Sequence, residues 1–209
     1  CASGLRSITL ADQLIRLGDE RIIVAGGMES MSNAPYYLAQ GRWGLRMGDG
    51  KLVDGVLHDG LTCAFHPEHV HMGVYGNDTA DKFEITREQQ DAFAARSQQL
   101  AVKSIDAGIF AEEIVPVTIP QRKGEPIVVD TDEAPRHGTT AESLAKLKPA
   151  FGKDGTVTAG NAPGINDGAA AVVVVAEDEA QARGLEPLAT IIGHAEIAVE
   201  PERFPETPG

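Results

Sequence analysis

Cysteine is scarce in this sequence: 209 residues hold two, Cys1 and Cys63. Two cysteines so far apart cannot form the disulfide framework of a small secreted domain, and no Cys-x-x-Cys pair offers a zinc site. A reduced, cytoplasmic setting is the plain expectation. Positive charge is also short. Eighteen Lys and Arg against 31 Asp and Glu leave a net charge of −13, which argues against nucleic acid or an anionic membrane as partner. Any anionic ligand would need a local basic patch. No apolar run approaches the roughly 20 residues of a membrane span. The opening residues lead to the expectation of no signal peptide, and no internal repeat or low-complexity segment is present. The chain opens on Cys-Ala-Ser-Gly without a methionine, as expected of truncation or processing.

What is there reads as a soluble globular protein: 42% hydrophobic and 23% charged residues, enough chain for one large or two small domains. Residues 2–17 carry Leu5, Ile8, Asp12 and Ile15 at steps of three or four, with Ala11 and Leu14 widening the stripe, so a helix ending at Gly18 is predicted. Residues 21–25 form a short, branched, apolar run before Gly26-Gly27 and predict a buried strand. Helix and short buried strand in succession point to an α/β fold. Residues 31 to about 70, rich in glycine with Pro35, Tyr36, Tyr37 and Trp43, predict an irregular excursion. A helix over about 72–83 follows. A second begins at Thr86, where Thr86 and Gln89 make a capping-box pattern, continues through Phe93, Ser97, Leu100 and Ile105, and ends at Gly108. Residues 113–119 and 126–129 predict strands joined by Arg122-Lys123-Gly124, the first an edge strand because of Pro116. A short helix near 141–147, a buried strand at 168–176, an acidic helix at 177–183 stopped by Gly184, and a long strand at 188–199 complete the pattern. The proline-containing tail, 200–209, shows no core-forming pattern. An irregular middle of this length between two α/β ends suggests a site or an assembly surface.

Cys1 directly precedes the first helix. Backbone N–H groups and the macrodipole at a helix N-terminus stabilise a thiolate, and a thiolate there is a competent acyl acceptor. Taken alone, the residue reads more readily as a buried structural cysteine or as the arbitrary first residue of a fragment. Gly4 in the first turn costs the helix about 1 kcal/mol relative to alanine, which points to close backbone approach.

Cys1-Ala-Ser-Gly-Leu-Arg, followed by Val24-Ala-Gly-Gly-Met-Glu-Ser-Met-Ser32, resembles the nucleophile segment of the thiolase family and the strand after it. Asp59-Gly-Leu-Thr62, His71-Met-Gly73, Arg136-His-Gly-Thr-Thr140 and Thr158-Ala-Gly-Asn-Ala-Pro-Gly-Ile-Asn-Asp-Gly-Ala-Ala170 match in the family's order. The resemblance extends to about residue 200. It implies an α/β thiolase fold, part of a five-layer αβαβα core with a long loop-domain insertion. Residues 1–30 would be the second part of the N-terminal half. Residues 31–165 would be the loop domain that covers coenzyme A and makes tetramer contacts. Residues 166–187 would return to the N-terminal half, and residues 188–209 would start the C-terminal half.

The activity implied is acyl exchange through an acyl-Cys1: condensation of two acetyl-CoA to acetoacetyl-CoA, or thiolysis of a 3-ketoacyl-CoA. CoA thioesters would be substrates, with no permanently bound cofactor, and the full-length protein would be a homotetramer. By the same resemblance, Arg136 would lie beside the nucleotide end of CoA, where one guanidinium can pair with phosphate on an acidic protein. Ser143 would belong to the same surface, and Phe151 would lie next to the adenine and pantetheine. His71 would line the pantetheine tunnel, Met72 would lie near the acyl group, and Ala159 would meet the pantetheine through its backbone. Pro163 stands where the family often has serine, and offers neither a hydroxyl nor an N–H. Without the motif, Arg136 would read as a solvated loop arginine, Ser143 as an ordinary helical serine, Phe151 as a core residue and His71 as a structural hydrogen-bonder.

Cys63 is not in the family's Cys-x-Gly context and reads as a buried structural thiol. His66, His69 and His71 lie close together, but the intervening proline and the lack of neighbouring cysteines argue against a metal. The family's Gly-His-Pro histidine, Asn-Glu-Ala-Phe asparagine and Cys-x-Gly cysteine do not occur in this sequence. Neither does the half-domain that precedes the cysteine, so strand 21–25 is expected to keep exposed edges and the isolated chain to be unstable or to aggregate. Two rival readings remain: an N-terminal-nucleophile hydrolase using the α-amino group of Cys1, and a non-catalytic CoA-binding scaffold. The helix after Cys1 disfavours the first, whose nucleophile opens a strand. Ala2 and the His-Met-Gly segment lean towards short-chain substrates.

Overall fold

The computed structural model describes residues 2–208. Their contacts divide into two compact units: the described residues up to Leu61 together with Ile165–Val199, and Thr62–Gly164 together with the described residues from Glu200 onward.

In the first unit, α1 (Ser3–Leu17) leads into β1 (Ile22–Ser30), which pairs antiparallel with β6 (Asp167–Val175) from Ile22↔Val175 to Ser30↔Asp167. α1 ends in a left-handed Gly18 (φ 83°). The Gly18 and Asp19 N–H groups return to the Ile15 and Leu14 carbonyls, the Schellman arrangement that satisfies a helix's last carbonyls. Asp12, within the helix's apolar stripe, is buried and accepts from Arg16 Nε at 2.9 and 2.8 Å. α1 packs on the β1–β6 pair. Gly27 permits this close approach, since a Cβ there would lie 3.2 Å from Gly4 Cα; Gly26 serves the strand pairing instead, where a Cβ would lie 2.3 Å from the Ala170 carbonyl oxygen of β6. A Cβ at Gly4 itself would lie 4.0 Å from Gly27 Cα, an ordinary contact, so the close approach requires glycine at Gly27 and not at Gly4. A two-residue pairing of β2 (Tyr36–Tyr37) with β3 (Val53–Asp54), two 3₁₀ turns and a π-type turn at Val56–Leu61 make up the irregular excursion. α5 (Glu177–Ala182) follows β6, with Gly184 at φ 63° beyond it.

Two expectations are corrected here. β1 and β6 are not buried strands within this chain: Val24, Met28 and Val173 are exposed. A two-stranded sheet has two open edges, and α1 cannot shield all its apolar side chains. Residues 188–199 form no strand. Their apolar alternation finds no ladder among the described residues, and a strand without a partner leaves its backbone groups unpaired. The segment is instead tied to α1 by side chains. Arg6 pairs with Glu196, Arg16 donates to the Ile191 carbonyl at 3.1 Å, and His194 Nε2 lies 3.4 Å from Asp12 Oδ2.

In the second unit, α2 (Met72–Lys82) and α3 (Arg87–Asp106) are the main helices. Thr86 caps α3 in a full capping box with Gln89. The helix runs to Asp106, and Gly108 (φ 68°) follows. Its inward face is corrected: Phe93 and Leu100 are exposed, whereas Asp91 and Ala95 are buried. The face is chosen by a polar network described below, not by its largest apolar residues. β4 (Val117–Ile119) and β5 (Ile127–Val129) form an antiparallel hairpin, shorter than predicted because Pro116 lies just before β4 and lacks a donor. α4 (Ala141–Leu144) is a short capped helix. The tail does join a core, contrary to expectation. A 3₁₀ turn at Pro201–Glu206 packs on α2, with Phe204 edge-on to Tyr75 at 6.4 Å between ring centroids and Lys82 Nζ 2.6 Å from Glu206.

Candidate active site

Cys1 lies outside the described residues. What the structure describes is the start of α1 beside it. Ala2 occupies the N-cap position and makes no side-chain capping bond, and its carbonyl accepts from Arg6 N at 2.9 Å. Alanine has no acceptor with which to cap the first-turn N–H groups.

The second unit brings two of the expected ligand-contacting residues together. His71 is the N-cap of α2, and its Nδ1 accepts from Gly73 N at 3.0 Å. In the neutral ring this bond puts the remaining proton on Nε2, which is then a donor. Burial pushes the His71 pKa below its ordinary value, so the neutral form is favoured. The Phe151 ring stacks on the imidazole at 4.3 Å and 21°. It also lies across Gly73, where a Cβ would meet the ring at 2.2 Å; the glycine of His-Met-Gly makes room for the phenylalanine. Met72, the first residue of α2, is half-buried beside them.

Ala159 sits exposed at the tip of a turn whose base is buried and hydrogen-bonded. Thr158 is fully buried, and its carbonyl accepts from Ala162 N at 3.0 Å. Asn161 Oδ1 accepts from Thr158 N at 2.7 Å, while Asn161 Nδ2 donates to Asp91 Oδ1 at 3.0 Å and to the Thr156 carbonyl at 3.1 Å. Asp91 also accepts from Arg87 Nε at 2.7 Å, and Arg87 donates to the Leu144 and Leu147 carbonyls at 2.8 and 3.0 Å. One buried carboxylate therefore joins α3, the end of α4 and the Ala159 turn. Pro163 follows this turn and is exposed.

Arg136 is exposed and lines an open hollow of about 480 Å³ with Lys103, Asp106 and Gly138 among its walls. Its backbone N–H donates to Gln98 Oε1 at 2.8 Å and its carbonyl accepts from Thr139 Oγ1 at 3.0 Å, so hydrogen bonds hold the backbone where the residue lines the hollow. Ser143 is occupied locally. Its hydroxyl donates to the Thr140 carbonyl at 2.7 Å and accepts from Thr140 N at 3.0 Å in the capping box of α4.

Cys63 is buried and bonded to Tyr75. The phenol, together with backbone groups of Phe65 and His66, pulls the thiol pKa down. The same bond pushes the Tyr75 pKa up to about 12. Among the described residues no cluster of three or more His, Cys, Asp or Glu could hold a metal ion, and no helix is long and apolar enough to cross a membrane.

Sequence reasoning missed Asn77, and missed Asp91 as a site-supporting residue. Arg87 and Asp91 were detectable as an i,i+4 pair of opposite charge. Asn77 offered only the weaker signal of a poor helix former in the middle of a helix.

A family model for the thiolase N-terminal domain matches residues 1–178. The chain belongs to the thiolase family. An acetyl-CoA acetyltransferase of Pseudomonas aeruginosa is 55% identical over 201 residues, 96% of this chain and 51% of that protein. One from Paracoccus denitrificans is 54% identical over 204 residues, 97% of this chain and 51% of that protein. Among solved structures, the acetyl-CoA acetyltransferase of Syntrophomonas wolfei superposes with a TM-score of 0.81 at 50% identity, covering 90% of this chain and 46% of that one. That of Bacillus anthracis gives 0.82 at 46% identity, covering 90% and 47%. The fold is the α/β thiolase fold, and this chain spans about half the length of the curated relatives it matches.

Proposed function

We propose that this chain carries the nucleophile and the coenzyme A-covering part of an acetyl-CoA C-acetyltransferase. The observation that carries the reading is the His71–Phe151 stack at the N-terminus of α2, in a chain 55% identical to a protein named acetyl-CoA acetyltransferase. The Cys1 thiolate attacks the thioester carbonyl of acetyl-CoA. The CoA thiolate leaves and takes up a proton, and an acetyl thioester remains on Cys1. A second acetyl-CoA loses an α-proton to a base, and its carbanion attacks the acetyl-Cys1 carbonyl. Cys1 departs as the thiolate and acetoacetyl-CoA is released. The reverse sequence is thiolysis of a 3-ketoacyl-CoA.

In this reading the helix start beside Cys1 favours the thiolate. His71 and Phe151 wall the pantetheine arm with Met72 near the acyl group, and the Ala159 turn presents backbone to the arm. Pro163 withholds the hydroxyl that the family often supplies there. Arg136 pairs with phosphate at the nucleotide end, and Ser143 contributes to the same surface. The base and the oxyanion donors belong to the Gly-His-Pro, Asn-Glu-Ala-Phe and Cys-x-Gly motifs, which this sequence does not contain. Such groups each lower a barrier by several kcal/mol, so the segment by itself is expected to be nearly inactive. CoA thioesters are substrates, and no cofactor is held permanently. The full protein is a cytoplasmic homotetramer of fatty-acid metabolism whose loop domain spans residues 31–165.

The test is acetoacetyl-CoA formation from acetyl-CoA by the full-length gene product and its Cys1→Ala variant. Activity lost in the variant supports the reading. CoA binding with no turnover in the unmodified protein overturns it in favour of a scaffold.

A further inference from the structure

We infer that Asn77 is a positioning residue that holds Phe151 at the coenzyme A arm. The inference rests on the site reading given above for Phe151. Asn77 lies in the middle of α2 and is buried. Its Nδ2 donates to the Phe151 carbonyl at 2.6 Å, and its Oδ1 accepts from both Thr156 N and Val157 N at 3.0 Å. One side chain thus closes the loop between Phe151 and Val157, gripping both its ends. The loop needs such a clamp. Gly152 is left-handed (φ 97°), residues 152–154 are exposed, and the strand-like return is a single bridge, Pro149↔Thr158.

The clamp is tightly built. A Cβ at Gly155 would lie 2.5 Å from Asn77 Nδ2 and 2.8 Å from the Phe151 carbonyl oxygen, so glycine is required where the loop crosses the amide. Because the amide bonds the backbone of the very residue whose ring stacks on His71, a change at Asn77 is transmitted to the ring. α2 therefore supplies one wall of this place and holds the other. Its N-cap gives His71, and Asn77, a turn and a half further on, fixes the ring that faces it.

Asn77→Asp separates this role from general support. The carboxylate still accepts from Thr156 and Val157 but turns an acceptor towards the Phe151 carbonyl, so only the Phe151 end is released. Gly155→Ala wedges the same bond from the loop side. Both variants are made in the full-length enzyme, with Phe151→Ala as the reference. The expected result is a KM for acetyl-CoA raised about five- to tenfold, with kcat kept within about twofold, and no further rise when Asn77→Asp is added to Phe151→Ala. A lowered melting temperature with reduced kcat and unchanged KM would make Asn77 a purely structural residue and overturn the inference. If Phe151→Ala raises KM and Asn77→Asp does not, the inference alone fails. If Phe151→Ala itself leaves KM unchanged, the assignment of Phe151 to the substrate site fails and the inference falls with it.

Discussion

Asp91→Ala is the perturbation whose cost can be worked most fully from the structure. Asp91 is 2% exposed, with one carboxylate oxygen on Arg87 and the other on Asn161. Removing one partner of a buried ion pair costs about 3–5 kcal/mol, because the other charge is stranded. Arg87 is not wholly stranded, since its side chain keeps one-fifth of its exposure and two carbonyl partners. The low end, about 3 kcal/mol, is therefore expected. Asn161 also loses an acceptor, so the loss concentrates on the Thr156–Ala162 turn. The assay is amide hydrogen exchange of peptides covering residues 156–162 in the full-length protein, which reads local opening directly. At 1.4 kcal/mol per tenfold, exchange there should accelerate about a hundredfold, far more than in α1. Arg87→Met with Asp91→Leu should recover most of the protection, because an apolar pair of similar volume replaces the ions without stranding either. Unchanged exchange in the turn, or strictly additive effects of the two single substitutions, would refute the reasoning.

Further expectations follow from the same contacts. Burial depresses the His71 pKa, so the unfolded chain binds a proton that the folded unit resists. The stability His71 contributes is complete above the unfolded value of about 6.5 and is lost as pH falls below it. Melting temperatures between about pH 7.5 and 5.5 should fall less in His71→Asn, which keeps a capping acceptor without the titration; an equal fall would contradict this. Gly27→Ala should destabilise by about 1–3 kcal/mol, because its Cβ would press on the first turn of α1; denaturant unfolding of the full-length protein checks it, and no change in midpoint would show that the turn yields freely. Arg136→Ala should raise KM for acetyl-CoA by about tenfold and leave an acetyl-pantetheine thioester unaffected. Equal effects on both substrates would remove Arg136 from the nucleotide end.

Legibility in the sequence followed the range of the interactions. The capping box at Thr86, the stops at Gly18, Gly108 and Gly184, and the β4–β5 hairpin rest on contacts within a few residues and could be read directly. Residues 188–199 could not. Their alternating apolar pattern describes what a strand needs, but a ladder also requires a neighbour, and the segment binds α1 through Arg6, Arg16 and Asp12 instead. The inward face of α3 was hidden for a different reason. Phe93 looked like core, yet the buried position is Asp91, because its partners Asn161 and Arg87 compensate the burial of a charge. At the candidate site, His71 and Phe151 were legible only as members of motifs 80 residues apart in sequence, and their stacking depends on Asn77, which belongs to neither motif. Gly4 read as the glycine of close approach because of its cost to the helix, yet a Cβ there would meet Gly27 Cα only at 4.0 Å; the position that requires glycine is Gly27, which only the fold shows.

The most direct test of the central claim is mass spectrometry of the full-length protein after brief exposure to acetyl-CoA and acid quench, with peptide mapping of the modified site. One acetyl group per chain, on Cys1 and absent from Cys1→Ala, is the expected result. An unmodified Cys1 in a protein that binds acetyl-CoA, or an acetyl group carried on another residue, would contradict it.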